Sequence, residues 1–300
     1  MSDNKTVQDS CQEKSEADRV VRFLFEDSAV RGVWVNLQKS CADMLALKAC
    51  SPASGILLGE SVAAAVLLSC TVKLQGRVAI QARGDGALKL LVAESTQDAA
   101  VRGVINLDAG VAAKNMPPLQ QLIGNGYLAV TLLPDEGESY QGIVPLQGAR
   151  LQDCLADYFA LSEQLPTALW LVSDGERAAG LMLQAMPTIN REDAGWQHLH
   201  VLANTITNEE LLSLPCESLL HRLFHQETVR IFDAEPVLFQ CTCSDSRSRH
   251  ALAVLGRDEL HKLFMEQPDV TIDCQFCGVQ YHYKENDMAD ILGESSTSLH

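Results

Sequence analysis

Cys241-Thr242-Cys243, answered by Cys274-Gln275-Phe276-Cys277, is the pattern from which the rest of the chain can be read. Two close pairs supply four soft ligands, and the 30 residues between them are enough to fold a small knuckle around one tetrahedral ion. The second pair has the spacing of an ordinary zinc hook. The first, with a single residue between its sulfurs, is tighter than structural fingers use. Two readings stay open at this point. In one, Zn2+ held by Cys241, Cys243, Cys274 and Cys277, one ion per chain, only staples a module too small to hold itself together. In the other the thiolates are also redox-active, because metal loss exposes nucleophilic sulfur already beside its partner. Arg247, Arg249, His250, Arg257, His261, Lys262 and Lys284 lie in or beside this segment. They favour thiolate where they face the sulfurs and otherwise form a solvated basic face.

Composition narrows the function classes. The 300 residues are 47% hydrophobic and 21% charged, enough for a real core and about two domains. A net charge of −16 and a pI near 4.8 repel phosphate backbones, so no nucleic acid is expected as partner. Met1 to Asp18 is polar and carries no export signal, which reads as a frayed leader on a cytoplasmic protein. The most apolar run, Val62 to Cys70 with its flank Ile56 to Leu58, is interrupted by Gly59 and Glu60 and falls short of the roughly 20 residues of a bilayer span. A buried helix is expected there, and no membrane. In a reducing compartment the scattered cysteines, Cys11, Cys41, Cys50, Cys70, Cys154 and Cys216, are expected to be small core residues or idle surface thiols.

From Arg19 to about Ala185 short strands, helices and glycine-marked turns alternate as in one α+β domain. Strands are predicted around Val20 to Phe25, Val30 to Leu37, Tyr127 to Leu133 and Thr167 to Val172, and helices over Ser40 to Lys48, Ile56 to Cys70, Leu119 to Ile123 and Leu151 to Gln164. Gly76 to Ala82 and Ala87 to Glu94 flank Gly84-Asp85-Gly86, a predicted hairpin turn whose glycines permit positive φ. That motif lacks the third glycine and the following helix of a nucleotide loop, so no nucleotide is expected. After Pro187 the pattern turns almost wholly helical to about Ile231. Thr207 with Glu210 makes a capping box, and Leu219, Leu220, Leu223 and Phe224 form one apolar face that something must cover. His198, His200, His221 and His225 are read as surface polar residues. No Ser/His/Asp or paired-carboxylate spacing supports hydrolase chemistry, and the chain is not expected to be an enzyme.

Further motifs carry a family likeness: Gly59-Glu60-Ser61 opening the Ala-rich helix, Gly84-Asp85-Gly86 with Leu88 and Leu90, Tyr158-Phe159, Ser162-Glu163-Gln164, Pro166-Thr167, Leu223-Phe224-His225 and Val229-Arg230, ending in the cysteine array. Over nearly its whole length the chain resembles the redox-regulated holdase chaperones, the bacterial heat-shock proteins of thirty-three kilodaltons. It departs from them just after the CxC, at Ser244-Asp245-Ser246-Arg247. The resemblance implies a flexible leader (1–18), a substrate-binding and dimerising α+β domain (19–186), a helical linker acting as folding sensor (187–236), a small zinc redox-switch domain (237–293) and a flexible tail (294–300). It implies an ATP-independent chaperone, inactive when reduced and zinc-bound. Oxidation would pair Cys241 with Cys243 and Cys274 with Cys277, expel zinc and unfold the linker. Unfolding client proteins and, in the oxidised state, a second copy of the chain would be its partners, with Leu219, Leu220, Leu223 and Phe224 as client-binding candidates. The rival function for a CxxC pair is a thiol–disulfide oxidoreductase, where the pair opens a helix after a strand.

Overall fold

The computed structural model describes residues 18–47, 50–187 and 191–288. Cys11, the leader before Asp18, Lys48 and the tail lie outside them. Strands β1 (Arg19–Phe25) and β2 (Val30–Leu37) lead to helices α1 (Lys39–Ala46) and α2 (Pro52–Ser69), then to β3 (Gly76–Gly84), β4 (Leu88–Thr96) and β5 (Ala100–Leu107). Helix α3 (Leu119–Ile123), strands β6 (Gly126–Pro134) and β7 (Tyr140–Val144), helix α4 (Leu151–Tyr158) and strands β8 (Thr167–Ser173) and β9 (Ala178–Ala185) follow. Helices α5 (Ala194–Ala203), α6 (Asn208–Ser213) and α7 (Cys216–Phe224) precede three short strands, β10 (Val229–Ile231), β11 (Glu235–Pro236) and β12 (Leu238–Phe239). Helices α8 (Asp245–Ala253) and α9 (Arg257–Glu266) and the hairpin of β13 (Asp269–Asp273) and β14 (Gln280–Lys284) form the C-terminal module.

The expected α+β class holds. One sheet has the order β10-β1-β2-β9-β8, with β11 also on β1, and a second has the order β12-β5-β4-β3-β6-β7. Helix α2 lies between them. Ser51 caps it by accepting from the N–H of Ser54, and Pro52 supplies a preset φ in the first turn. All of α2 except Pro52 and Ile56 is buried, so its apolar length belongs to a protein core.

The Gly84-Asp85-Gly86 hairpin forms, but for a different reason than the one expected. Neither Gly84 nor Gly86 has positive φ. A Cβ on Gly84 would lie 1.8 Å from the carbonyl oxygen of Ile123 and one on Gly86 would lie 2.4 Å from that of Leu122, so these glycines admit the end of α3. The predicted Leu151–Gln164 helix is α only to Tyr158 and continues as a π turn over Phe159–Glu163.

Among the described residues after Pro187 the stretch is mainly helical, as expected, until α7 ends, and then it is not. Its last part pairs with β1, Phe25 opposite Val229 and Val20 opposite Glu235. The Thr207–Glu210 capping box is present in both directions, at 3.2 and 2.9 Å. The apolar face of α7 is fully buried, Leu219 at 0% and Leu220, Leu223 and Phe224 at 2–3% exposure. What covers it is the outer face of the first sheet, Val21, Phe23, Phe25, Trp34, Leu181 and Leu183, while the C-terminal module keeps a separate core. The spacing left the covering surface unnamed, and the docking partner is the N-terminal sheet.

Asp18, at the end of the expected leader, is part of the fold. Helix α1 has no side-chain cap of its own, and the Asp18 carboxylate accepts from the N–H groups of Gln38, Lys39 and Ser40 at 2.8–3.1 Å. Its carbonyl accepts from Val237 N–H at 2.7 Å, and Ser40 Oγ donates to the Val237 carbonyl. Asp18→Ala is expected to lower stability to urea by about 1–2 kcal/mol, the range for a lost cap, read as a shift in the unfolding midpoint at unchanged slope.

Candidate metal centre

Strand β12 carries the first cysteine pair off the edge of the second sheet. It adds to β5 in parallel, with Leu238 N–H donating to the Ala99 carbonyl and Gln240 N–H to that of Val101 at 3.2 and 3.0 Å. Cys241 and Cys243 follow at once, and Ser244 then caps α8 by accepting from Arg247 N–H. Ser244 thus has a local structural role. The second pair sits at the tip of the β13–β14 hairpin. Cys274 N–H donates to the Val279 carbonyl and Gly278 N–H to the Cys274 carbonyl at 2.9 and 2.8 Å, with Gly278 at φ +71°, where a side chain would be strained. Here the CxxC turns a hairpin; in a thioredoxin-like enzyme it would open a helix.

The four sulfurs lie within 4.8 Å of one another and all four residues are half-buried. The near contacts run between the pairs, Cys241 to Cys274 at 3.6 Å and Cys243 to Cys277 at 3.3 Å. Four sulfurs at Zn–S distances of about 2.3 Å around a tetrahedron stand about 3.8 Å apart, so the array fits the ion. All four are free thiols.

The array is electrostatically uneven. Burial raises Cys274, but the N–H groups of Cys277 and Phe276 and the thiols of Cys277 and Cys241 donate to its sulfur and bring it down to about 7. Burial pushes Cys277 up to about 12 against the Val279 N–H, with hydrogen bonds to the other three sulfurs adding to the rise. Cys274 is therefore much closer to thiolate at neutral pH than Cys277. Elsewhere, burial raises Cys41 and Cys216 to about 12 and Cys70 to about 11, and it also raises Cys154. These stay protonated and poorly nucleophilic.

Of the expected cations, Arg247 hydrogen-bonds to the first cysteine loop, donating to the carbonyl and hydroxyl oxygens of Thr242 at 2.6 Å. Arg249 donates to the Asp287 carbonyl, His261 pairs with Glu285 and Lys284 with Asp269, while His250, Arg257 and Lys262 are exposed. A residue that the sequence did not flag is Arg102 on β5, whose guanidinium donates to Thr242 Oγ1 at 2.7 Å and lies 4.2 Å from the Phe276 ring centroid. It stands 140 positions before Thr242, and no local pattern links the two.

A family model described as Hsp33 protein matches residues 18–284. A 33 kDa chaperonin of Pseudomonas paraeruginosa is 44% identical over 284 residues, covering 93% of this chain and 95% of the relative. One of Ectopseudomonas mendocina is 46% identical over 277 residues, 90% and 94% of the two chains. The crystal structure of a 33 kDa chaperonin from Thermotoga maritima, described as a heat shock protein 33 homologue, matches with a TM-score of 0.78 over 92% of this chain and 98% of that one. At 22% identity it shows a common fold.

Proposed function

The chain belongs to the Hsp33 family, and from that premise we propose that it is an ATP-independent holdase switched on by oxidation of its four clustered cysteines. A chaperone role, and with it the binding of client proteins, follows from the family. The redox switch rests chiefly on one observation: four free sulfurs gather within 4.8 Å in a module whose own core, among the described residues, is six buried side chains. Cys241, Cys243, Cys274 and Cys277 would hold one Zn2+, which when bound keeps them as thiolates and contributes about 10–16 kcal/mol to folding.

In the proposed oxidation each pair, Cys241 with Cys243 and Cys274 with Cys277, gives two electrons to one peroxide, which takes two protons from solvent because zinc-held sulfurs carry none; each pair becomes a disulfide, two waters form and Zn2+ leaves. Four ligands are then gone and the module loses its staple. The consequences pass along the backbone. Strand β12 leaves β5, Val237 leaves Asp18, and β10 and β11 leave β1, which frees the end of α7. The interface under α5–α7 is suited to release, because each of these helices is 10 residues or shorter and marginal alone. Undocking exposes Leu219, Leu220, Leu223 and Phe224 together with the sheet face of Phe23, Phe25 and Trp34, a surface for apolar client segments. On this reading 19–186 binds clients and dimerises when oxidised, 187–236 is the folding-sensing linker and 237–293 the switch, in a cytoplasmic protein that needs no nucleotide and catalyses no reaction.

All three tryptophans report on this step: Trp34 and Trp196 are buried in the sheet–helix core, and Trp170 packs at its edge and donates to Asn204. Peroxide with mild heating is expected to release one zinc per chain, consume four thiols, red-shift tryptophan emission and stop light scattering by a heat-denatured client without nucleotide. Reduction with zinc present should reverse all four. Equal client protection by reduced and oxidised protein would end the redox reading.

A further inference from the structure

Arg102 joins the sheet to both cysteine loops. Glu94 lies directly opposite it on β4 with only 9% of its side chain exposed, and accepts from Arg102 Nε and Nη2 at 2.8 and 2.6 Å. That pairing aims the rest of the guanidinium off the sheet edge. There Nη1 donates to the hydroxyl of Thr242, the residue between the first two sulfurs, and the cationic plane faces the ring of Phe276, the residue before the fourth. One side chain rooted in the second sheet thus touches both ligand-bearing loops.

We propose that Arg102 is a latch, a positioning residue that docks the reduced cysteine module on the second sheet and holds its two loops in register. The proposal rests on the switch reading above and adds the route by which sulfur chemistry reaches the sheet. The four sulfurs stand within 4.8 Å of one another, with contacts across the loops at 3.6 and 3.3 Å, whereas a disulfide within a pair needs about 2.05 Å between neighbours on one loop. On this proposal re-pairing shifts the loops at Thr242 and Phe276, the two points that Arg102 touches. Once they turn, the latch opens and β12, two residues upstream of Cys241, loses its anchor on β5. A lysine cannot replace this arginine, since it lacks the plane that faces Phe276 and the fork that serves Glu94 and Thr242 at once.

The test uses the full reduced, zinc-loaded chain with Arg102→Lys, Phe276→Leu and the double variant. Phe276→Leu leaves the Arg102–Glu94 pair intact, and Arg102→Lys leaves every candidate ligand in place. Two rates are read: hydrogen exchange at the Leu238 and Gln240 amides, which needs no oxidant, and peroxide-driven zinc release followed with a chromogenic chelator. Arg102→Lys is expected to raise both rates about five- to tenfold, Phe276→Leu, which loses only the ring contact, about threefold, and the double variant no further than Arg102→Lys, because the ring contact is already lost there. Rates within twofold of the parent in both single variants would overturn the latch, as would additive effects in the double variant. A parent chain that holds no zinc or ignores peroxide would instead defeat the switch reading, while the exchange arm still decides the latch.

Discussion

Cys274→Ser with Cys277→Ser is expected to abolish zinc binding and unfold the chain from Cys241 to Met288 while the two N-terminal sheets stay folded. The module has two short helices, one hairpin and a core of Leu252, Leu260, Phe264, Val270, Tyr283 and Met288. A core of that size does not hold a module of roughly 50 residues without a metal or disulfide, because ordering each residue's backbone costs about 1–2 kcal/mol. Removing a staple of about 10–16 kcal/mol therefore exceeds any stability the rest supplies. The N-terminal core does not depend on it, since α2 and both of its sheet faces form a separate cluster. Hydrogen exchange read by peptide should show residues 245–284 losing protection by about three orders of magnitude or more, with 57–68 in α2 unchanged. Protection of β13 and β14 at parent levels would mean that the module folds without its metal, and the switch would lose its physical basis.

How much of this could be read from the chain differs by element. Strong period and clear punctuation made β1, β2, α2 and α3 legible, and the four cysteines were legible because metal ligation demands their spacing. Strand β5 was not read, for Gly103 stands in its middle where a Cβ would meet Leu58 Cδ1 at 2.8 Å; a glycine placed for packing looks like a break. The glycines of the β3–β4 turn were found and misunderstood, since their neighbour Ile123 is a tertiary contact. Arg102 was invisible for the same reason. The apolar face of α7 was evident from spacing, but spacing cannot say which surface covers it, and β10 and β11 gave no signal because a few residues pairing with a distant edge carry no period of their own.

Phe224→Ala is expected to give a reduced, zinc-loaded protein that already holds clients. Phe224 is buried at 2% exposure and meets Phe25 edge to face at 5.0 Å, with Phe23 behind it at 5.8 Å from Phe25. Truncating such a ring costs about 3–5 kcal/mol, and the loss falls on the sheet–helix interface. Helices α5–α7 are each 10 residues or shorter and are marginal alone, so their order depends on that interface. Their undocked population should rise about a hundredfold or more, while the sulfurs and β12 lie outside this core cluster. The expected result is one zinc retained, red-shifted tryptophan emission, protease cutting between Pro187 and Pro236, and suppression of client aggregation without oxidant. Phe224→Leu, which keeps an apolar side chain against Phe25, should give a much weaker version of the same set. If Phe224→Ala undocks the helices and yet leaves client aggregation unchanged, the buried sheet–helix faces are not the client surface, and the holding site must be sought elsewhere on the chain.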